Sequence, residues 1–299
     1  MARLMQQCWP SMPKQIKKNL RLKQLRKLSV IRLTHSPLKH VNHMSVGGGQ
    51  CSLPFYLERK IMNINQTNGL FGIHLPVINP EDFDPKTIDD IIFGNPESKL
   101  RIEDIVTGIV PFPAAGRCGI LLYGIWGSGK TALAKMLPAA IERMKSGNDL
   151  NISADFIQCK QGLSGPQLMS IIEDYTGIVS FNQSGLHYII LDEVDNLTDQ
   201  AQKSLKAAMN VSRVVFVLTT NHVDKLDRGL VNRCLPVEMN AAKLEQFAPM
   251  CQKIADAYGI ALDETELASA VAGSFGSIRT IRENASRIAA RKWRAAQNK

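Results

Sequence analysis

Gly124-Ile125-Trp126-Gly127-Ser128-Gly129-Lys130-Thr131 fits the pattern G-x-x-x-x-G-K-[ST], and the apolar run from Gly119 to Tyr123 just before it reads as the strand such a loop needs. Glycines let backbone N–H groups turn inward onto phosphate oxygens. A lysine at this place bridges β and γ oxygens, and a threonine hydroxyl holds Mg²⁺. The stretch points to a nucleoside triphosphate, with Gly124, Gly127, Ser128, Gly129, Lys130, Thr131 and Ala132 as its cradle.

Downstream, His187-Tyr188-Ile189-Ile190-Leu191-Asp192-Glu193 is an apolar strand ending in two carboxylates. A strand end is where carboxylates face bound phosphates. Asp192 is expected to share Mg²⁺ with Thr131, and Glu193 to orient and deprotonate an attacking water. Val214 to Thr219 is a further buried strand followed by Thr220-Asn221, which sets an amide beside the same phosphates, because parallel strands end on one edge. Leu230-Val231-Asn232-Arg233-Cys234 then offers an arginine suited to a γ-phosphate presented by a neighbouring subunit.

Short branched runs at Gly119 to Leu122, Asp155 to Gln158, Tyr188 to Leu191 and Val214 to Thr219 predict parallel strands buried on both faces, with helices after Lys130, Ser164, Asp199 and Leu226. No strand is visible after Pro236. There Leu244, Phe247, Cys251, Ile254 and Tyr258 keep helical spacing, as do Ile278, Ile281, Ala285 and Ile288. The expected organisation is a basic arm over 1–72, a nucleotide-binding α/β domain over 80–237 and a small all-helical domain over 238–299.

The chain has 299 residues, 44% hydrophobic and 21% charged, an ordinary globular balance with room for one large domain or two modest ones. Its net charge of +9 is concentrated at one end. Ten basic residues and no acidic one fall between Met1 and Leu57, leaving 26 basic against 27 acidic residues elsewhere. Bulk charge therefore gives the α/β body no support for DNA binding. The basic arm shows no clean apolar stripe, which leaves a loosely attached segment, a DNA-binding arm and an import signal open; Met44 or Met62 is an alternative start. A second basic tract, Arg279, Arg282, Arg287, Arg291, Lys292, Arg294 and Lys299, clusters only loosely on a helical wheel. It reads as a solvated face or a phosphate-backbone contact. The six cysteines form no C-x-x-C pair, so neither a zinc ribbon nor a disulfide framework is indicated. No apolar run approaches the roughly 18 residues of a membrane span. A cytoplasmic location is expected, with organellar import through the basic segment as the alternative.

Together these residues resemble the AAA+ ATPases, and within them the small subunits of DNA polymerase clamp loaders. Asp84-Pro85-Lys86-Thr87-Ile88-Asp89-Asp90-Ile91-Ile92 is similar to the segment that leads into the family's nucleotide pocket, and Asp192-Glu193-Val194-Asp195 to its Walker B box. Asn221 falls on the sensor 1 position. Leu230 to Cys234 resembles the motif "LxSRC", with Asn232 for the serine, and Gly276-Ser277-Ile278-Arg279 resembles "GDMR", which makes Arg279 sensor 2. The resemblance covers about Phe83 to Ser286. It implies a P-loop NTPase (AAA+) parallel sheet flanked by helices and followed by a helical lid, with ATP and Mg²⁺ as cofactors. It also implies a homo- or hetero-oligomer in which Arg233 acts in trans, and DNA as a possible partner through the arm or another protein. Trp126 departs from the family's usual proline or small residue. The family's third, collar domain has no counterpart in this sequence, so clamp loading by this chain alone is not expected. The implied activity is ATP hydrolysis driving assembly or remodelling in DNA metabolism. An ATP-switched DNA-binding adaptor with slow turnover is the alternative.

Overall fold

The computed structural model describes residues 80–147 and 152–297; the expectations for the arm over 1–72 lie outside them. Five strands, β1 (Gly119–Tyr123), β2 (Ala154–Gln158), β3 (His187–Asp192), β4 (Val214–Thr220) and β5 (Cys234–Glu238), form a wholly parallel sheet in the order β2-β3-β4-β1-β5. The strands are short and rich in branched side chains because both faces are covered. In β4, Val215 and Val217 face one layer while Phe216 and Leu218 face the other, the two-residue period of a strand.

Helices α1 (Pro96–Thr107) and α2 (Lys130–Ser146) cover one face, burying Ile102, Ile105, Leu133, Leu137 and Ile141 against Ile120, Leu122, Val215 and Val217. Helices α3 (Gly165–Thr176), α4 (Asp199–Ala208) and the short α5 (Arg228–Asn232) cover the other, through Leu168, Ile172, Leu205 and Leu230. Local chemistry sets most of their starts. Asn95 accepts from Glu97 N–H, Thr198 from Ala201 N–H and Asp227 from Leu230 N–H, and Ser164 forms a capping box with Gln167. Helix α2 differs. It begins after Gly129, which has no side chain to cap it.

Strand β5 is a fifth strand beyond the four read from the sequence, and it runs on past Pro236, after which none is expected. Pro236 argues against a central strand, but among the described residues β5 pairs only with β1 and lies at the sheet edge, where proline is tolerated. That edge is covered by α1: Arg101 Nη1 donates to Pro236 O at 3.0 Å, and Glu238 N–H donates to Ser98 Oγ at 3.1 Å. A buried edge strand gains partners in this way instead of recruiting another chain.

After the sheet come α6 (Leu244–Asp256), α7 (Glu264–Val271) and α8 (Ile278–Gln297), with a core of their own built on Phe247, Cys251, Ile254, Ala270, Ile281 and Ala285. Helices α6 and α8 match the two periodic stretches read from the sequence. The short α7 was not among them, although its Asp263–Glu266 capping box is a start signal. The segment leading into the sheet joins the two cores: Ile91 and Phe93 enter the sheet core while Ile92 and Phe83 pack on the helical one. Alternate side chains of an extended segment point to opposite sides, so one short stretch serves both.

Candidate nucleotide site

The tips of β1, β3 and β4 meet at one cleft of about 820 Å³, roofed by the start of α8. Because β4 lies between β1 and β3, its tip stands between the phosphate loop and the two carboxylates. Ligands of open parallel sheets bind outside such strand ends. Lys130, Asp192, Glu193, Asn221 and Arg279 all line this cleft, with Gly127, Gly129, Thr131 and Ala132. Gly124 and Ser128 do not line it and instead hold the loop in shape, Gly124 O accepting from Lys130 Nζ at 3.1 Å and Ser128 Oγ donating to Ile125 O at 2.9 Å.

Two glycines are required by geometry. Gly129 at φ +92° makes the left-handed turn into α2, and Gly127 at φ +66° leaves no room for a Cβ, which would lie 2.5 Å from Ser277 Oγ. The loop is thereby fitted to the turn before α8, and Ile278 N–H donates to Gly127 O at 2.9 Å. Lys130 is nearly buried; its ammonium donates to Gly124 O, to Ile125 O and to Ser128 Oγ. Burial lowers its pKa to about 8, against the opposing pull of the Asp192, Asp195 and Glu193 charges.

Asp192 is the hub of the carboxylate end. Its Oδ1 accepts from Thr131 Oγ1 at 2.9 Å and from Thr219 Oγ1 at 2.6 Å, and Thr219 Oγ1 accepts from Glu193 N–H at 3.0 Å. Glu193 sits in the left-handed region at φ 59° and ψ 52°, uncommon for a residue with a Cβ and maintained by these bonds. Asp195 ties the turn to β4, accepting from Thr220 Oγ1 at 2.8 Å and from Asn221 N–H at 3.4 Å. Thr219, Asn196 and Thr220 stand outside the motifs legible in the sequence. The available signal was a polar end, Thr219-Thr220, on an otherwise apolar strand.

Arg233 is elsewhere. It closes α5 just before β5, donating through Nε and Nη2 to Asn210 Oδ1, both at 3.2 Å, and through Nη1 to Gly229 O at 3.0 Å. Its carbonyl accepts from Cys118 and Gly119 at the foot of β1, the end opposite the phosphate loop. That places it a strand length from the cleft, about 16 Å. The basic tract on α8 is partly neutralised, with Arg282 paired to Asp84 at 2.6 Å, Arg287 to Glu283 at 2.8 Å and Lys292 to Glu266 at 2.6 Å. Cys159 is no nucleophile: burial, with the nearby carboxylates, pushes its thiol up to about 12.

The residues fit the groups the motifs imply. Gly127 and Gly129 hold the positive-φ turn of a phosphate loop, which a side chain would clash with or strain, and one carboxylate with one hydroxyl is the hard-oxygen set that Mg²⁺ shares with phosphates. No cluster of three or more His, Cys, Asp or Glu that could hold a metal ion is present among the described residues.

A parallel sheet in this order, a phosphate loop entering an uncapped helix, a carboxylate pair across β4 and a helical lid define a nucleotide-binding P-loop NTPase. Residues 120–238 match the model of the ATPase family associated with various cellular activities (AAA). It is similar to Replication factor C small subunit 1 of Pyrobaculum islandicum, 24% identical over 189 residues, covering 62% of this chain and 53% of that protein. It is also similar to Replication factor C subunit 4 of Caenorhabditis elegans, 28% identical over 214 residues, covering 67% and 59%. The chain thus spans between half and three fifths of the curated relatives it matches. Among solved structures, a threonine-to-valine variant of Thermotoga maritima RuvB aligns with a TM-score of 0.50 and 15% identity over 72% of this chain and 65% of that one, a likeness of fold. Among the described residues no helix is long and apolar enough to cross a membrane.

Proposed function

We propose that this protein binds ATP with Mg²⁺ and hydrolyses it as a clamp-loader-like AAA+ ATPase of DNA metabolism, working in an oligomer whose neighbouring subunit supplies Arg233. The observation that carries the proposal is the convergence of the Thr131 and Thr219 hydroxyls on one carboxylate oxygen of Asp192, in the cleft that Lys130 also lines at the mouth of a phosphate loop. Backbone N–H groups from Gly127 to Thr131 bind the phosphates, and Lys130 leaves its loop carbonyls to bridge β and γ oxygens. Thr131 and Asp192 would hold Mg²⁺, which when bound offsets phosphate charge. Glu193 takes the proton of the attacking water as the water oxygen bonds to the γ-phosphorus and the bond to the β–γ bridging oxygen breaks, releasing ADP. Asn221 and Arg279 flank the γ-phosphate from the sheet and the lid.

The replication factors with which the chain aligns support the DNA-metabolism part, and the seat of Arg233 outside its own cleft supports action in trans. Two variants test the chemistry. Lys130→Ala should abolish nucleotide binding or turnover, and Glu193→Gln should retain bound ATP while hydrolysis falls by about a hundredfold or more. Bound nucleotide and released phosphate are measured on the same samples; unmutated turnover in Glu193→Gln removes that residue from the role of base.

A further inference from the structure

The turn after β3 carries an amide that the chemistry above leaves unused. Asn196 Nδ2 has two hydrogens, and the structure directs them to two acceptors, Glu193 Oε2 at 3.3 Å and Cys159 O at 3.1 Å. The backbone closes the same turn, Asn196 N–H donating to Glu193 O at 3.0 Å. Cys159 in turn donates its N–H to Asp192 O at 2.9 Å, so the tip of β2 is bonded to both ends of the acidic pair's turn. Glu193 itself stands in a left-handed backbone conformation with its N–H donated to Thr219.

We propose that Asn196 is a positioning residue for Glu193, fixing one carboxylate oxygen so that the other faces the water to be activated. The proposal rests on the assignment of Glu193 as the base. A glutamate side chain has three rotatable bonds, and with both oxygens free it samples orientations in which neither meets the water. Anchoring Oε2 on an amide that is itself anchored to Cys159 O removes most of that freedom and leaves Oε1 as the proton acceptor.

Asn196→Ala removes both donors, while Asn196→Asp keeps the shape and turns an acceptor toward Glu193 and Cys159 O. Single-turnover hydrolysis of ATP and equilibrium binding of a non-hydrolysable analogue are measured on the full chain for both variants, alone and combined with Glu193→Gln. Both should hydrolyse at least about tenfold more slowly, with analogue affinity within about threefold of the parent and no further loss on the Glu193→Gln background. The isosteric Asn196→Asp should be no faster than Asn196→Ala. Unmutated hydrolysis in either variant overturns the proposal, and so does an equal loss on the Glu193→Gln background, since Asn196 would then act through something other than Glu193. Glu193→Gln that hydrolyses like the parent sinks the assignment of the base; Glu193→Gln that is inactive beside a fully active Asn196→Asp sinks only the positioning role.

Discussion

Lys130 is held in a place that suits a phosphate better than it suits the protein alone. Its ammonium is almost buried against carbonyls of its own loop, and burial lowers its pKa from 10.5 to about 8. In the unfolded chain the lysine stays protonated up to about 10.5, so between pH 8 and 10.5 the unfolded state binds more protons and this residue's contribution to stability rises with pH. Below pH 8 both states are protonated and the penalty is constant. Lys130→Met removes the penalty. The nucleotide-free variant should therefore be more stable than the parent at pH 7, an advantage that shrinks between pH 8 and 10.5, while nucleotide affinity is lost. Urea midpoints of both proteins at pH 7 and pH 10 decide it: an equal difference at both values would mean that burial of the charge is not what separates them. The same site illustrates what a sequence discloses at this scale. Lys130, Thr131, Asp192 and Glu193 stand in motifs with their own spacing and were legible. Thr219 and Asn196 were not, because a hydroxyl bridging Asp192 to the Glu193 backbone exists only once β3 and β4 lie side by side.

At the level of elements, the phosphate-loop helix is tied to β3 at its far end by a buried carboxylate. Glu142 in α2 accepts from Ser184 N–H at 2.8 Å, from Ser184 Oγ and from Tyr188 OH at 2.8 Å, and is itself buried. Burial pushes the Glu142 pKa up, but the bonds from Ser184 and Tyr188 outweigh it, and the net value lies below the ordinary 4.5. A carboxylate lowered in this way adds stability above its unfolded pKa, and that stability is lost as the pH falls through the folded value. Glu142→Gln puts an amide donor where an acceptor is required and should cost about 1–3 kcal/mol at neutral pH. The deficit should narrow as the pH falls below the ordinary 4.5, because the stability of a lowered carboxylate is lost in that direction. Denaturant titrations of both proteins at pH 7 and pH 3 measure it, and a deficit unchanged between them would rule out ionisation as its source. Four strands and the principal helices were readable because buried parallel strands are continuous branched runs and helices carry caps. Strand β5 escaped because Cys234-Leu235-Pro236-Val237-Glu238 contains a residue barred from central strands, and only its edge position with α1 alongside makes it one.

For the molecule as a whole, the decisive asymmetry is that cleft and arginine occupy opposite ends of the sheet. The phosphate loop leaves the top of β1, whereas Arg233 binds the foot of the same strand through its carbonyl and is steadied by Asn210 and Gly229. No rotamer change spans about 16 Å, so under the proposed function the γ-phosphate that Arg233 reads would be another subunit's. Such a contact is heterologous: one copy's foot meets the next copy's cleft, and repetition gives a ring or an open spiral, not a two-fold dimer. Nucleotide should then favour association, because the γ-phosphate supplies the charge that the guanidinium reads. The parent protein should increase in mass on adding a non-hydrolysable ATP analogue with Mg²⁺. Arg233→Ala should bind the analogue within about threefold of the parent affinity yet assemble less and hydrolyse at least about tenfold more slowly. Mixing Arg233→Ala with Lys130→Ala separates action in trans from action in cis, since each contributes the part the other lacks and activity should exceed that of either alone. A chain that stays monomeric with bound analogue, or a mixture no more active than its components, would remove the shared site, and Arg233 would then be a structural residue closing α5 against Asn210.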